Sequence, residues 1–199
     1  VELNGEYGTI IGSGEYEYGS TIEVEAIADE GYHFVRWSDG VVDAVRTINV
    51  TSDITLVAEF AINVYRVELI AENGVVVGAG EYTHGTEVEI SVTPNDGYRF
   101  VRWSDGETEA TRTIVVTSDV SLKAEFAVEV MRVEIEAENA IVVGAGEYAY
   151  GSIVTLVVIP NEGYQFVGWS DGETNSTRTI NVTSDTLLIA EITPIIYLV

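Results

Sequence analysis

The chain has 199 residues, no cysteine, 46% hydrophobic residues and a formal net charge of −24. The absence of cysteine excludes a disulfide framework and a thiolate metal site, and the charge excludes non-specific binding to nucleic acid because phosphate would be repelled. The apolar fraction is that of a globular protein, and since no transmembrane run is present we expect no membrane insertion.

A ten-residue stretch that begins with Gly-Tyr and ends with Trp-Ser-Asp-Gly occurs three times. Its tryptophans, Trp37, Trp103 and Trp169, follow one another at intervals of 66 residues. Because these are all the tryptophans in the chain, the spacing indicates a triplicated unit. We predict three tandem repeats, residues 1–66, 67–132 and 133–199. The opening strand of the first repeat is truncated, and the third repeat ends in a strand that extends toward a next unit.

In chain order, each repeat consists of strands joined by turns. An opening run, 65–72 in the second repeat, leads into a Gly-rich segment that ends at a turn glycine, Gly85. From Glu87 to Val92 apolar residues alternate with polar ones, which predicts a half-buried strand with one face in water.

The second half of each repeat starts at another turn, Pro94–Gly97 in the second repeat, where Pro sets φ and Gly tolerates a positive φ. An aromatic strand then runs to Trp103, and two further strands follow over 111–117 and 120–127. No window shows helical periodicity. The sequence therefore predicts an all-β fold: three small modules, of the β-sandwich or β-grasp-like type without a helix.

Each aromatic strand supplies a Tyr, a Phe and a Trp. These are Tyr32, Phe34, Trp37, Tyr98, Phe100, Trp103, Tyr164, Phe166 and Trp169. In a regular strand Tyr98 and Phe100 point to one face and Trp103 to the other, so one set lines the core while the other lies at an edge, a junction or a binding surface. We interpret the nine residues as the structural core of the repeats, because aromatic side chains provide the most burial. The alternative is a sugar-stacking platform, which requires exposed tryptophan.

An Arg and two Asp also recur in every repeat: Arg46, Arg112 and Arg178, with Asp39, Asp105 and Asp171, and with Asp53, Asp119 and Asp185. An Arg among carboxylates predicts a structural ion pair that fixes a turn. No nucleophile elbow, P-loop, dinucleotide fingerprint or zinc spacing is present, so we assign no catalytic, cofactor or metal residue and expect no enzyme. Calcium is the one ion that the acidic composition leaves open. His33 and His84 differ between repeats, and we expect both at the surface.

The third repeat is apolar where the second is polar. Ile153, Val157, Leu187 and Ile189 replace Glu87, Ser91, Ser121 and Lys123. Strands that are apolar on both faces are typical of sheets covered on both sides. Three explanations stay open: packing of the third repeat on the second, simple tolerance of exposed apolar residues, or a contact between chains.

The chain begins and ends inside the same strand of the repeat. This pattern is explained by a trimmed longer array, by a ring, or by a subunit whose C-terminal strand completes the first repeat of the next subunit. The candidate contacts between subunits are Val1, Leu3, Ile153, Val157, Leu187, Ile189, Ile195, Ile196, Tyr197, Leu198 and Val199.

The pattern Gly-Tyr-x-Phe-Val-x-Trp-Ser-Asp-Gly, with the later Arg-Thr-Ile-x-Val-Thr-Ser-Asp and the closing Ala-Glu-Phe, resembles the divergent internalin B-repeat family, the Listeria–Bacteroides class of bacterial surface repeats. All three repeats carry it, with Ala28 at the Pro position of the first and Ile192 at the closing Phe position of the third. The resemblance implies an extracellular or cell-surface bacterial protein of tandem β modules without known catalytic activity.

We therefore expect a non-catalytic extracellular structural repeat protein. It acts either as a spacer or adhesive stalk, or as a subunit of an end-to-end filament formed by strand addition. The expected partners are further copies of the chain and a cell-surface glycan or protein. Two alternatives stay open: a glycan- or ligand-binding module that uses the repeated aromatic residues, and an adhesin array stabilised by calcium.

Overall fold

The fold was analysed in a computed structural model that describes residues 1–198. Val199, one of the candidate contact residues, lies outside the described residues. The described chain is built from β-strands and contains no helix, which confirms the predicted all-β class. Within this part of the chain there is accordingly no helix of the length and apolarity that a membrane span requires.

The strands follow one another in nearly the same order in each repeat. The first repeat contains β1 Glu2–Asn4, β2 Gly8–Ile11, β3 Thr21–Ala28, β4 Tyr32–Trp37, β5 Val45–Asn49 and β6 Thr55–Ile62. The second contains β7 Val64–Ile70, β8 Gly74–Val77, β9 Gly80–Thr83, β10 Thr86–Pro94, β11 Tyr98–Trp103, β12 Thr111–Val116 and β13 Val120–Val128. The third contains β14 Val130–Ala137, β15 Ala140–Val143, β16 Gly146–Ala149, β17 Ser152–Pro160, β18 Tyr164–Trp169, β19 Thr177–Val182 and β20 Thr186–Pro194.

Each repeat forms two small sheets. In the first repeat their strand orders are β1-β6-β4 and β2-β3-β5, and in the third they are β16-β14-β20-β18 and β15-β17-β19. The second repeat follows the third, with orders β11-β13-β7-β9 and β12-β10-β8. The opening strand runs parallel to the last strand of its own repeat, as in the pairing of Val133 with Thr186, and the other pairings whose registers are resolved are antiparallel. The first and last strands of every repeat are therefore neighbours in one sheet.

By its internal packing the described chain divides into two compact units. One holds Val1–Ala71, Val76–Val92 and Trp103–Ala124, and the other holds Glu72–Val75, Thr93–Arg102 and the chain from Glu125 onward. The first unit contains the whole first repeat, and the second unit contains the whole third repeat.

The core of each of these repeats lies between its two sheets. In the first repeat, the alternation of β3 turns Ile22, Val24 and Ala26 inward, where they cluster with the buried Trp37. The indole nitrogen of Trp37 donates a hydrogen bond to the carbonyl oxygen of Asp43, 3.0 Å away. The third repeat repeats this arrangement with Leu156 and Trp169. The indole N–H of each of these two buried tryptophans has a hydrogen-bond acceptor, which a buried polar group requires.

The expectation that Trp points away from Tyr and Phe is wrong. The register of the aromatic strand shifts by one residue between Phe34 and Arg36, and again between Phe166 and Gly168. A β-bulge of this kind interrupts the alternation of side chains. Phe34 and Trp37 therefore both face inward, with ring centroids 5.6 Å apart, and Val35 takes the outer face with 39% of its surface exposed.

The Gly-rich segments contain strands that sequence patterns did not reveal. β8 and β9 of the second repeat, β15 and β16 of the third and β2 of the first are each four residues long, too short for a pattern of alternation. The first residues of β2 and β8 are glycines because a phenylalanine ring lies against the backbone there. A Cβ at Gly8 would overlap the ring of Phe60, and a Cβ at Gly74 would overlap the ring of Phe126.

We predict that Trp37→Ala lowers the free energy of unfolding by about 3–5 kcal/mol, because it removes a buried aromatic side chain and leaves a cavity. The matched control is Val35→Ala, two residues away on the outer face, which should change it by less than about 0.5 kcal/mol. Urea unfolding followed by circular dichroism measures both values. Equal losses for the two variants would contradict the bulged arrangement of the strand.

Candidate functional site at the repeat ends

The recurrent Arg and Asp side chains fix turns, as predicted. Arg46 contacts Asp39 at 2.6 Å, Arg178 bonds both carboxylate oxygens of Asp171 at 2.7 Å, and Arg112 pairs with Asp105. In each pair the hydrogen bond from Arg is the main reason that the pKa of the Asp lies below its usual value. The same pair in every repeat indicates a structural role.

The second recurrent Asp anchors the opening strand. Asp119 accepts a hydrogen bond from the backbone N–H of Arg66, and Asp185 accepts one from that of Arg132, each at 2.8 Å. Asp53 is the equivalent residue of the first repeat. Within residues 1–198 no group of three or more His, Asp or Glu side chains is arranged to hold a metal ion. Stabilisation by calcium stays an untested expectation.

Of the nine aromatic residues, the tryptophans lie in the cores of the repeats and Phe34 and Phe166 pack against them, whereas Tyr32 and Tyr164 lie outside the core clusters. Trp37 and Trp103 have no exposed surface, Trp169 is 3% exposed, and the six Tyr and Phe residues are half-buried. A sugar-stacking platform needs an exposed indole face. The version of the glycan-binding alternative that uses these tryptophans is therefore wrong.

The first and second repeats meet at Asn63, the single residue between β6 and β7. Its N–H donates to the carbonyl oxygen of Gly31 at 2.7 Å, and its own carbonyl accepts from the N–H of His84 at 2.8 Å. The His84 ring covers Gly31 so closely that a Cβ there would overlap it. The Asn63 side chain adds a hydrogen bond of 2.8 Å to His33. The junction thus combines backbone bonds with an aromatic ring laid on a glycine.

The second and third repeats meet in the same way. Glu129, between β13 and β14, donates from its N–H to the carbonyl oxygen of Gly97 at 2.8 Å and accepts from the N–H of Tyr150 at 2.9 Å. The Tyr150 ring covers Gly97, where a Cβ would overlap it. Both glycines have a positive φ, +82° for Gly31 and +79° for Gly97. Glycine is required there twice over, for its backbone conformation and for the close approach of the ring.

The surface position expected for both histidines is wrong for His84, which is half-buried at the first junction. His33 is exposed beside it. The sequence did contain a signal, because Tyr18, His84 and Tyr150 are equivalent, all aromatic, and each followed by a turn glycine. What it could not show is that this ring reaches the preceding repeat.

The third repeat has an exposed glycine equivalent to those of the junctions, and the first repeat has an exposed aromatic ring equivalent to His84 and Tyr150. In the third repeat, Ile195 donates to the carbonyl oxygen of Gly163 at 2.8 Å, as Asn63 and Glu129 do at their glycines. Gly163 has a φ of +83° and is exposed, and no atom of residues 1–198 beyond its chain neighbours lies within 4 Å of the position that its Cβ would take. In the first repeat, the equivalent ring, Tyr18, is 84% exposed.

The first repeat also has an open groove beside residues 14–17. The equivalent residues form β9 and β16, which pair with the first residues of β7 and β14. In the first repeat Gly14 is paired with Val1, at 2.8 and 3.0 Å, and the carbonyl oxygen of Glu17 accepts a hydrogen bond from the N–H of Ser20 at 3.1 Å. Two cavities follow this edge, one of about 500 Å³ beside Gly14 and Asp53 and one of about 470 Å³ beside Tyr16 and Tyr18.

The candidate contact residues do not form one surface. Val1 and Leu3, which the sequence suggested as contacts between subunits, pack against the core of the first repeat. Ile153, 78% exposed, and the half-buried Val157 lie on β17, whereas Leu187 and Ile189 lie on β20 in the other sheet. The terminal residues Ile195, Ile196, Tyr197 and Leu198 are exposed, at 37%, 86%, 80% and 101%.

Comparison with known proteins identifies similar repeats. The sequence model of the divergent InlB B-repeat domain matches residues 1–64, 65–129 and 131–195. A protein of Evansella cellulosilytica whose name describes a Gly-rich membrane protein is 30% identical over 172 residues, which are 78% of this chain and 20% of that protein. A second protein of this organism, named as a membrane protein, is 29% identical over 188 residues, 85% of this chain and 28% of its own length. The chain thus spans less than a third of either relative.

Among solved structures, the Bacillus anthracis TIE protein is similar over 88% of this chain and 43% of its own, at 13% identity and a TM-score of 0.39.

We predict that the Arg178–Asp171 pair stabilises the third repeat above the usual pKa of Asp, and that this contribution is lost as the pH falls through the lowered pKa of folded Asp171. Asp171→Asn should therefore reduce the free energy of unfolding by about 1 kcal/mol or less at pH 7, since the pair is partly exposed, and the difference from wild type should vanish in acid. Glu162→Gln controls for the lost negative charge. If Asp171→Asn lowered the free energy of unfolding by the same amount at every pH, the ion pair would not be the source of the stabilisation.

Proposed function

This chain belongs to the divergent InlB B-repeat family, and on that premise we propose that it is a non-catalytic structural spacer at the bacterial cell surface. A surface location is supported by the family and by the names of two relatives, which describe membrane proteins. A non-catalytic role is supported by the recurrence of the Arg–Asp turn pair in all three repeats, because a catalytic centre needs a unique constellation of groups.

The observation that carries the spacer role is the construction of the two junctions. A single residue links consecutive repeats, so little chain is free to flex. On both sides of that residue the backbone is bonded, to Gly31 and His84 at one junction and to Gly97 and Tyr150 at the other. The ring on the glycine adds a packing contact at each. Junctions of this kind favour a stalk whose length grows with the number of repeats.

We further propose that copies of the chain join end to end by strand addition. Residues 15–17 of the first repeat are exposed, and the exposed Ile196–Leu198 segment corresponds to the strand that pairs with this edge in the other repeats. Addition of an extended segment to an open sheet edge is a recurrent mode of recognition. The edge and the segment are both present in every copy.

The spacer role predicts that height above the cell grows linearly with chain number. One, two and three copies, fused in phase after Leu198, are displayed between a surface anchor and a fluorescent tag. The distance of the tag from the membrane should rise in equal steps. A Gly/Ser linker of equal length is the control, because the reach of a flexible chain grows roughly as the square root of its length. Square-root growth of the repeat protein would contradict a stalk.

End-to-end joining predicts that the average mass in sedimentation velocity rises with protein concentration. It should rise further with salt, because each copy carries a formal charge of −24 and salt screens the repulsion between copies. Ile196→Asp should abolish the rise, whereas Ile189→Asp, on an exposed sheet face of the third repeat, should preserve it. Loss with Ile189→Asp alone would instead identify the sheet face as the contact.

A further inference from the structure

We propose that Tyr18 of one copy packs on Gly163 of a second copy, and that this contact of an aromatic ring with a bare glycine selects the partner in end-to-end joining. The inference rests on the end-to-end assembly proposed above and specifies its docking surface. The partner is a second copy of this chain, because each copy carries both halves of the contact.

The acceptor half is already formed in the third repeat. Gly163 has the positive φ of Gly31 and Gly97, and its carbonyl already accepts the N–H of Ile195, as theirs accept the linking residue. The three glycines differ in one respect: Gly31 and Gly97 are buried beneath a ring, whereas Gly163 is exposed. The missing component is an aromatic ring.

The donor half is equally preformed in the first repeat. The residue after Tyr18, Gly19, donates its N–H to the carbonyl oxygen of Val50 at 2.7 Å. Gly85 and Gly151 make the same bond at 2.8 and 2.7 Å, and these bonds hold the turns that carry His84 and Tyr150. The turn of Tyr18 is therefore in the docking geometry before any partner arrives, which lowers the entropic cost of binding.

The strand register of the internal junctions extends to this contact. Val130, Met131 and Arg132 pair with Ala149, Tyr148 and Glu147. The equivalent residues between copies are Ile196, Tyr197 and Leu198 of one copy, opposite Glu17, Tyr16 and Glu15 of the next.

Two side chains of the first repeat, Tyr16 and Asp53, lie at the open edge that would receive this strand. The Tyr16 hydroxyl donates to the carbonyl oxygen of Gly12 at 3.1 Å, as Tyr82 and Tyr148 do in the paired repeats. Asp53 is placed to accept the N–H of Leu198, as Asp119 and Asp185 accept those of Arg66 and Arg132. The groove of about 500 Å³ beside Gly14 and Asp53 lies next to this edge.

The docked arrangement continues the repeat without a change of phase. Leu198 is equivalent to Arg66 and Arg132, and Val199 and Val1 are both equivalent to Val67 and Val133. In the docked arrangement the added strand therefore ends at Leu198, and Val1 of the next copy continues it in phase. The contact has a direction, because the ring is supplied only by the first repeat and the bare glycine only by the third. Joining through it generates a chain of copies that all point the same way.

Two single substitutions test the contact from its two sides. Tyr18→Ala removes the ring, and Gly163→Asn covers the glycine with a residue that tolerates a positive φ. Their controls are Tyr18→Phe, which keeps the ring, and Gly172→Asn, which makes the same change at another uncovered glycine of the third repeat, with φ +92°. Sedimentation equilibrium should show association weakened at least about tenfold by each test variant and unchanged by each control.

Mixing the two test variants gives the sharpest result. The Tyr18→Ala copy retains its glycine and the Gly163→Asn copy retains its ring, so an equimolar mixture should form a one-to-one dimer and nothing larger. If wild type associates and the test variants associate equally well, the ring-on-glycine contact is overturned while end-to-end joining stands. If wild type stays monomeric at every concentration, joining and this docking surface are both overturned. The spacer role is then judged separately, by the height measurement.

Discussion

The buried tryptophan of each repeat is the contact on which the two sheets depend. Repeats of this size bury only about 60% of the surface that their unfolded chains expose, so a single large side chain provides an important share of the core. Trp37 reaches that core because a bulge turns it to the same side as Phe34. Its N–H bond to Asp43 ties the core to the loop that follows, and the Arg46–Asp39 pair closes the same loop from outside. Core and turn therefore hold one another in place.

The glycine of the Gly-Tyr dipeptide that opens the aromatic strand is a junction element. Gly31 and Gly97 provide a turn that few other residues adopt and a surface on which the ring of the following repeat can lie. Tyr or His occupies the ring position, which shows that the contact depends on a flat aromatic face and not on one particular polar atom. The proposed contact between Tyr18 and Gly163 of two copies would reuse the same two halves.

Charge and apolar surface are distributed unequally along this acidic chain. On the outer face of β17, Ile153 and Val157 stand where β10 carries Glu87 and Ser91. The third repeat therefore offers apolar side chains on its sheet faces as well as the bare Gly163 at its end. Nothing in the described residues covers Ile153 or Leu187, whereas the ends have two internal junctions as a template. That difference favours the ends as the proposed docking surface.

By itself the sequence determined the period of the repeats, the all-β class, the turn glycines and the Arg–Asp pairs. These are local signals, carried by alternation, by residues that tolerate unusual backbone angles and by opposite charges seven residues apart. Only the tertiary structure decided the bulge, the short strands in the Gly-rich segments, the inward position of Val1 and Leu3 and the position of His84 on Gly31. The ring of His84 and the glycine beneath it are 53 residues apart in the chain. Contacts of that kind depend on how strands register across the folded repeat, and no local pattern of residues encodes that register.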